Sequence, residues 1–385
     1  MQLTGNALHY DVIIVGAGPA GCACALALKD SGLKVAMLDK ASFPRDKVCG
    51  DAIPGRAIKA LKSIDPGHEA AFKEFPAKCT TKKTTLFYKG REVTFSWVRE
   101  AFTCTRMEFD NFLFSLVKEK TTTELYTNIA PENVLQDTNG YSFSTKNDNT
   151  LFTCRLLIGA DGAQSGLAKQ LAGRTMNRAH YAGSVRAYYS NITGIESDTT
   201  EVYFNRRFLP SYLWVFPLPG NKANVGFGML SDEIARRKIN IKNAFYDFIE
   251  RDPVLKNKFA NAIQEGPLEG FGLPLGSDIG IISGNHFMLA GDAASLIDPI
   301  SGDGIGNAMV SGALAARQAI KCFDQNNFTA VFMKEYDKTL KSAIGAELKM
   351  HYNTQRAMSR MPFLLDVVIF ASRNKILKRF MQKFL

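Results

Sequence analysis

The stretch Asp11–Gly21, DVIIVGAGPAG, constrains the fold more than any other. A short apolar run before a glycine turn reads as a buried parallel strand, Asp11–Val15. Gly16, Gly18 and Gly21 follow in G-x-G-x-x-G spacing. The first glycine permits a tight turn. The second lets a pyrophosphate approach the backbone, and the third lets helix and strand pack closely. Pro19 sits where a first-turn proline is tolerated, and Ala20 follows it. The pattern predicts a helix to about Ser31 with Gly32 as its C-cap. Lys34–Leu38 then reads as a second strand, ended by Asp39 and followed by Lys40. A carboxylate there can accept hydrogen bonds from a ribose diol. Strand, helix, strand and acid together predict a dinucleotide site.

Leu289–Gly306, LAGDAASLIDPISGDGIG, is a second device of the same kind. Gly291 and Asp292 end an apolar run, Asp298 and Pro299 follow, and glycines at 302, 304 and 306 flank Ile305 at the start of a helical pattern. A glycine-rich turn feeding a helix presents N–H groups and a positive dipole end, which suits an anion. Two cradles some 270 residues apart imply one long ligand held from both ends. FAD has that length, whereas a nicotinamide dehydrogenase needs only the first cradle.

Between the cradles the chain changes character. Leu156–Gly162, LLIGADG, is an apolar strand ending on a glycine turn with Asp161 and Gly162, the edge where open α/β sheets bind ligands. Its bland alternative is a turn with a capping aspartate. Thr105 and Glu108 have capping-box spacing, and Phe109, Phe112, Leu113 and Leu116 give that helix its core face. Arg106, in its first turn, reads either as surface or as a phosphate contact. Val185–Tyr189, Glu201–Phe204, Tyr212–Pro217 and Ala223–Leu230 read as short strands, with Leu218–Asn221 as a hairpin connector. With Thr84–Trp97 they predict an antiparallel, substrate-facing sheet. Tyr212, Trp214 and Phe216 share one face by period 2. They are either core or the lining of an apolar channel.

Composition narrows the class. The chain has 385 residues, 46% hydrophobic and 22% charged, enough to bury a sizeable core. Its seven cysteines are dispersed without metal-ligand spacing, which fits a reducing cytoplasm and argues against a zinc site. Val12–Leu28 is apolar and uncharged, but glycines and Pro19 interrupt it and residues 1–10 carry no Lys or Arg, so it reads as core rather than as a signal peptide or span. The net charge is +10, and the last thirteen residues hold Arg373, Lys375, Lys378, Arg379 and Lys383 with no acid. Ile376, Leu377, Phe380, Met381, Phe384 and Leu385 form one helical stripe. A basic amphipathic helix of this kind suits peripheral contact with an anionic membrane, its alternative being a terminal helix docked on the protein. The basic stretch is local and no nucleic-acid module accompanies it, so nucleic acid is not an expected partner.

At this point the residues resemble a family. GAGPAG, LLIGADG, the AGDAA–DP–G-x-G-x-G segment and Arg106 before Phe109-Asp110 resemble the p-hydroxybenzoate hydroxylase-type FAD fold. PRDKVCGDAIP (44–54) and YLWVFP (212–217) resemble the geranylgeranyl reductase family, with its P-R-x-K-x-C-G-G and Y-x-W-x-F-P patterns. The resemblance covers roughly residues 10–320. The chain departs from it at Asp51, where the family often has a second glycine; that position bears on substrate and proton donor. By position, the resemblance implies that Gly16, Gly18 and Gly21 take the pyrophosphate and Asp39 the adenosine ribose. Arg106 falls at the phosphate or ribitol region. Asp161 would support the cofactor and the approach of a nicotinamide donor, and Asp292 the ribityl and pyrophosphate region. The helix after Gly302–Gly306 would aim its N-terminus at the isoalloxazine. The candidate cofactor set also includes Lys40, Arg45, Cys49, Gly50, Asp51 and Pro299. Cys49 is the candidate catalytic residue, its alternative being a packed thiol. Tyr212, Trp214, Phe216 and Pro217 are the candidate substrate residues.

The expected fold is α/β (α+β): a Rossmann-like FAD-binding domain with an inserted antiparallel β-sheet substrate domain and a C-terminal helical segment. The expected boundaries are 1–78, 101–178 and 276–330 for the first, 79–100 and 179–275 for the second, and 331–385 for the third. The expected activity is an FAD-dependent reduction of C=C bonds in an isoprenoid or lipidic chain. No separate nicotinamide domain is visible, so NAD(P)H would dock transiently. A flavin monooxygenase of the same fold and a membrane-surface electron-transfer flavoprotein stay open as alternatives. Halogenases of this broad fold show a W-x-W-x-I-P pattern that YLWVFP only partly mimics. The expected location is the cytoplasm, with peripheral contact at the inner face of the membrane left open.

Overall fold

The computed structural model describes residues 7–145 and 150–372. The stripe over 376–385 and its basic flank lie outside them. The strand Ala7–Val15 pairs in parallel with Val35–Asp39 on one side and Leu151–Gly159 on the other. Glu124–Thr127 extends the sheet beyond Val35–Asp39, and Phe287–Leu289 beyond Leu151–Gly159. The three central strands are buried on both faces at their carboxyl ends, as a parallel sheet requires, while the edge strand Glu124–Thr127 is partly exposed.

The first helix, Pro19–Ala27, is shorter than the pattern implied, with Leu28 rather than Gly32 as its C-cap. Gly32 serves the turn beyond, at φ +72°. No charged residue lies on this helix and it is buried almost throughout. The helix Ile305–Asp324 packs against it, and a Cβ on Gly312 would stand 2.0 Å from the Ala20 carbonyl oxygen. The helices of the two cradles therefore interlock backbone to backbone.

The second sheet has eight strands, mostly antiparallel. Its central hairpin, Tyr212–Leu218 with Lys222–Leu230, turns through Gly220 and Asn221, both at positive φ. The expected Thr84–Trp97 segment is itself a hairpin, Cys79–Tyr88 and Arg91–Thr103. Lys89 and Gly90, both at positive φ, make its turn. The short strand Ala52–Ile53 pairs with the end of this hairpin and so joins the second sheet. Leu213 and Val215 face a separate apolar core against Phe245 and Phe248 of the helix Ile241–Arg251. Period 2 therefore turns Tyr212, Trp214 and Phe216 the other way, toward the first sheet. Helices Ala330–Leu340, Ala346–Arg360 and Phe363–Ala371 complete the described chain.

Candidate active site

The first cradle has the geometry its glycines predict. Gly16 takes φ +105°, and a Cβ there would meet the Ala160 carbonyl oxygen at 2.2 Å. One on Gly21 would meet the Gly16 oxygen at 1.8 Å. At Gly18 the space is open, bounded only by the Arg45 guanidinium at 3.7 Å. No side chain caps the Pro19–Ala27 helix, so its first N–H groups are free of side-chain acceptors. Asp39 accepts from Ala17 N at 2.8 Å and Ala41 N at 2.9 Å, which fixes its carboxylate at the strand end. Lys40 is exposed.

Arg106 is buried and bidentate on Asp110, at 2.7 and 2.6 Å. Arg45 approaches the same carboxylate at 2.9 Å, yet its buried Nη1 has no hydrogen-bond partner. Two guanidiniums around one carboxylate leave net positive charge beside Gly18. That charge, the open turn and the uncapped helix suit a pyrophosphate. The i, i+4 spacing of Arg106 and Asp110 was a signal for this pair that the reading of the sequence missed.

The second cradle is more occupied. Gly291, at φ +63°, is wedged between Ala20 and Ala308 and donates to Ser311 Oγ at 2.9 Å. Asp292 accepts from Lys47 Nζ at 3.0 Å. The start of Ile305–Asp324 is not bare: Asp303 Oδ1 accepts from Ile305 N at 3.0 Å and Gly306 N at 3.4 Å. The helix start thus already faces a carboxylate. Burial pushes the Asp303 carboxyl up to about 6, which weakens its hold as an anion. A Cβ on Gly304 would meet Asp292 Oδ1 at 3.0 Å, so the two segments of this cradle close on each other. Gly302, at φ +70°, lies beside Tyr212, whose hydroxyl donates to the Ser301 carbonyl at 2.6 Å. Pro299 O accepts from Gln355 Nε2 at 2.5 Å.

Asp161 accepts from Ser165 Oγ at 2.5 Å and Leu167 N at 3.3 Å, at the start of the helix Gly166–Ala172. Its side chain does the capping work of the bland alternative. Gly162, at φ +83°, opens onto free space.

Cys49, Gly50 and Asp51 lie between the cradles and the second sheet. A Cβ on Gly50 would be 3.5 Å from Trp214 Nε1 and 3.6 Å from Phe216 Cε2. The aromatic face therefore meets this loop. Trp214 Nε1 donates to Asn224 Oδ1 at 2.9 Å, and Asn224 Nδ2 donates to Cys49 O at 2.7 Å and Asp51 Oδ2 at 2.9 Å. Tyr188 Oη donates to Asp51 Oδ2 at 2.9 Å. Asp51 is fully buried at φ +62°, a conformation that costs a non-glycine residue and that glycine adopts freely. Burial raises its carboxyl to about 6 despite the donors from Asn224 and Tyr188 and the charges of Arg186 and Arg106. Burial also raises the Cys49 thiol, with Arg106 opposing. Pro217 O accepts from Thr103 Oγ1. Tyr188, Asn224 and Arg186 were missed. The available signal was a polar Asn224 inside an otherwise apolar strand.

Among the described residues, Asp298, Glu347 and His351 bring potential ligand atoms within 4.8 Å of one another. Asp298 is already bonded to His351 Nδ1 at 2.5 Å, and Glu347 to Arg56 at 2.5 Å. The Arg56 cation makes this an ion-pair network between the Pro299 loop and the helix Ala346–Arg360.

Two cradles joined by interlocked helices, with an apolar sheet facing them, define an FAD-dependent oxidoreductase. The chain matches the FAD binding domain model over residues 9–237. It is 31% identical over 318 residues to the menaquinone reductase of Mycobacterium tuberculosis, covering 80% of this chain and 75% of that one. It is 28% identical over 352 residues to the digeranylgeranylglycerophospholipid reductase of Methanosarcina mazei, covering 89% and 83%. A geranylgeranyl bacteriochlorophyll reductase-like structure from Thermoplasma acidophilum superposes with TM-score 0.83 at 24% identity, over 95% of this chain and 92% of that one. A flavin-dependent brominase shares the fold at TM-score 0.78 and 20% identity, over 98% and 93%. The chain belongs to the FAD binding domain family.

Proposed function

We propose that this chain saturates carbon–carbon double bonds of an isoprenoid or similarly lipidic chain, with electrons from NAD(P)H docking transiently. The observation that carries this reading is the apolar face of Tyr212, Trp214 and Phe216 set against the Cys49–Gly50–Asp51 loop. Two relatives' names, menaquinone reductase and digeranylgeranylglycerophospholipid reductase, are consistent with a lipidic substrate.

Gly16, Gly18 and Gly21 with Arg45 would hold the pyrophosphate, Asp39 the ribose, and Asp292 with Lys47 the middle of the cofactor. Held there and reduced by NAD(P)H, the flavin would be the source of the hydride taken up by one alkene carbon. The chain's own part is to align the lipid along the aromatic face, exclude water, and deliver a proton to the other carbon. Cys49 is the proposed group at the substrate. Asp51 is the proton store behind it, positioned by Tyr188 and Asn224. An isolated alkene accepts hydride poorly, so an acid held partly protonated near neutral pH suits the task.

The test is anaerobic incubation of the purified flavoprotein with NADPH and polyprenyl substrates, read by product mass. A gain of two hydrogens per bond supports the reading. A product gaining one oxygen, formed only in air, would replace it with the monooxygenase.

A further inference from the structure

The helix Phe363–Ala371 is apolar on both its inner and its outer face. Its inner face buries Leu365 and Ile369 against Tyr88 and Leu209. Its outer face carries Phe363, Val367 and Phe370, at 58, 54 and 68% exposure, spaced i, i+4, i+7 on one stripe. Met361, just before it, is also exposed. A soluble protein gains nothing by setting two phenylalanines and a valine outward on one helical stripe. Lys89 Nζ holds Asp366 at 2.8 Å, so the helix is fastened at its flank to the Lys89–Gly90 hairpin turn.

We propose that this outer face is the docking surface for an anionic lipid bilayer. Charge selects that occupant. In the sequence, the thirteen residues after Ser372 hold five Lys or Arg and no acid. Arg360 precedes it and Arg91 flanks the hairpin turn, both exposed. Apolar anchors accompanied by cations are the chemistry that reads an anionic interface. No helix among the described residues is long and apolar enough to cross a membrane, so the contact is lateral.

The position has a use for a lipidic substrate. Phe204 packs into the cluster under the helix. Its ring meets Tyr212 edge-on at 5.8 Å, and Tyr212 meets Trp214 at 6.3 Å. An aromatic path thus runs from the cluster beneath the docking helix to the loop at Cys49. Only this last step rests on the proposed reduction; the docking itself does not.

Full-length protein is sedimented with phosphatidylcholine vesicles and with vesicles containing about one-third phosphatidylglycerol. Binding to the anionic vesicles is expected, falling as salt rises. A triple variant, Phe363→Ser, Val367→Ser, Phe370→Ser, is expected to bind at least tenfold more weakly. Its thermal midpoint and its turnover of a detergent-solubilised substrate are expected to stay as in the parent. Equal vesicle binding by variant and parent overturns the proposal. A dimer that becomes monomeric on substitution overturns it in favour of a second copy. A lowered midpoint overturns it in favour of the chain's own C-terminal segment as the cover. Loss of reduction with retained vesicle binding bears on the proposed function alone.

Discussion

Lys47 Nζ and Asp292 Oδ2 meet at 3.0 Å across 245 residues of sequence. The contact ties the loop after the second strand to the second cradle, and both side chains are largely shielded from solvent. Removing one partner of a shielded pair strands the other charge.

Lys47→Met is therefore expected to weaken FAD binding about tenfold, because an uncompensated Asp292 would face the cofactor's phosphates, a loss of about 1.4 kcal/mol. Titration of apoprotein with FAD, followed by flavin fluorescence, measures it. An unchanged dissociation constant would remove Lys47 from the proposed site.

Asp51 gives a pH signature. Its carboxyl rises from 3.8 in the unfolded chain to about 6 in the fold, chiefly through burial. Between those values the folded state holds a proton that the unfolded state has lost. Stability therefore falls as pH rises through that window, by roughly 3 kcal/mol in total, and the deficit persists above it. Asp51→Asn keeps the shape and tolerates positive φ. Urea unfolding should show the variant equal to the parent near pH 3.5 and more stable above pH 6.5. Turnover should drop and lose its step near pH 6. A stability difference that does not vary with pH would refute the assignment.

The opening strand–turn–helix and both glycine turns were legible because backbone geometry demands glycine there. Gly16 and Gly291 are at positive φ, and Gly21 touches a carbonyl oxygen. The alternation of Tyr212–Pro217 was legible for the same kind of reason: period 2 assigns faces. The partners of Asp51 were not. Tyr188 and Asn224 lie on strands more than 130 residues away, and only the pairing of Tyr188 with Asn224 across one ladder rung brings both to the same carboxylate. The occupied start of the second helix was also hidden. A glycine-rich turn does not say whether Asp303 will fold back onto the N–H groups it precedes.

Gly226 lies opposite Trp214 in the central hairpin, and a Cβ there would stand 2.1 Å from Trp214 Cζ2. Gly226→Ala should tilt the indole off Asn224 and cost about 1–3 kcal/mol through overpacking. The chain has two tryptophans, and Trp97 is exposed. A red shift of fluorescence therefore reports on Trp214. Wild-type emission and stability in the variant would show that the indole has room to spare.

His351 and Asp298 couple the Pro299 loop to the helix Ala346–Arg360. The bond to Asp298 raises the imidazole above its ordinary range. The stabilisation it brings is complete below the ordinary histidine value and lost as pH rises through the raised one. His351→Ala should cost roughly 1–2 kcal/mol at pH 6 and progressively less at alkaline pH. Thermal midpoints of parent and variant from pH 6 to 9 should converge. Parallel curves would mean that the contact is indifferent to protonation.

Gly312 is the tightest point between the two cradles. Its Cβ would lie 2.0 Å from the Ala20 oxygen and 2.9 Å from the Ala20 carbonyl carbon, and backbone cannot step aside as a side chain can. Gly312→Ala must therefore push apart the helices Pro19–Ala27 and Ile305–Asp324. Two effects oppose each other. Alanine raises helix propensity by about 1 kcal/mol over glycine. Overpacking against backbone costs about 1–3 kcal/mol, and here the element displaced carries a cradle at its end. The net is a loss of stability with a larger loss of FAD, because a ligand gripped at both ends feels any change in their separation. The expected result is at least a tenfold weaker FAD complex, in a protein whose apo thermal midpoint falls by only a few degrees. Gly345→Ala is the control: its Cβ would meet nothing nearer than Lys341 Cβ at 3.4 Å, so the helical gain should appear without the clash. Intact FAD affinity in Gly312→Ala would show that the cradles are set independently of the contact between their helices.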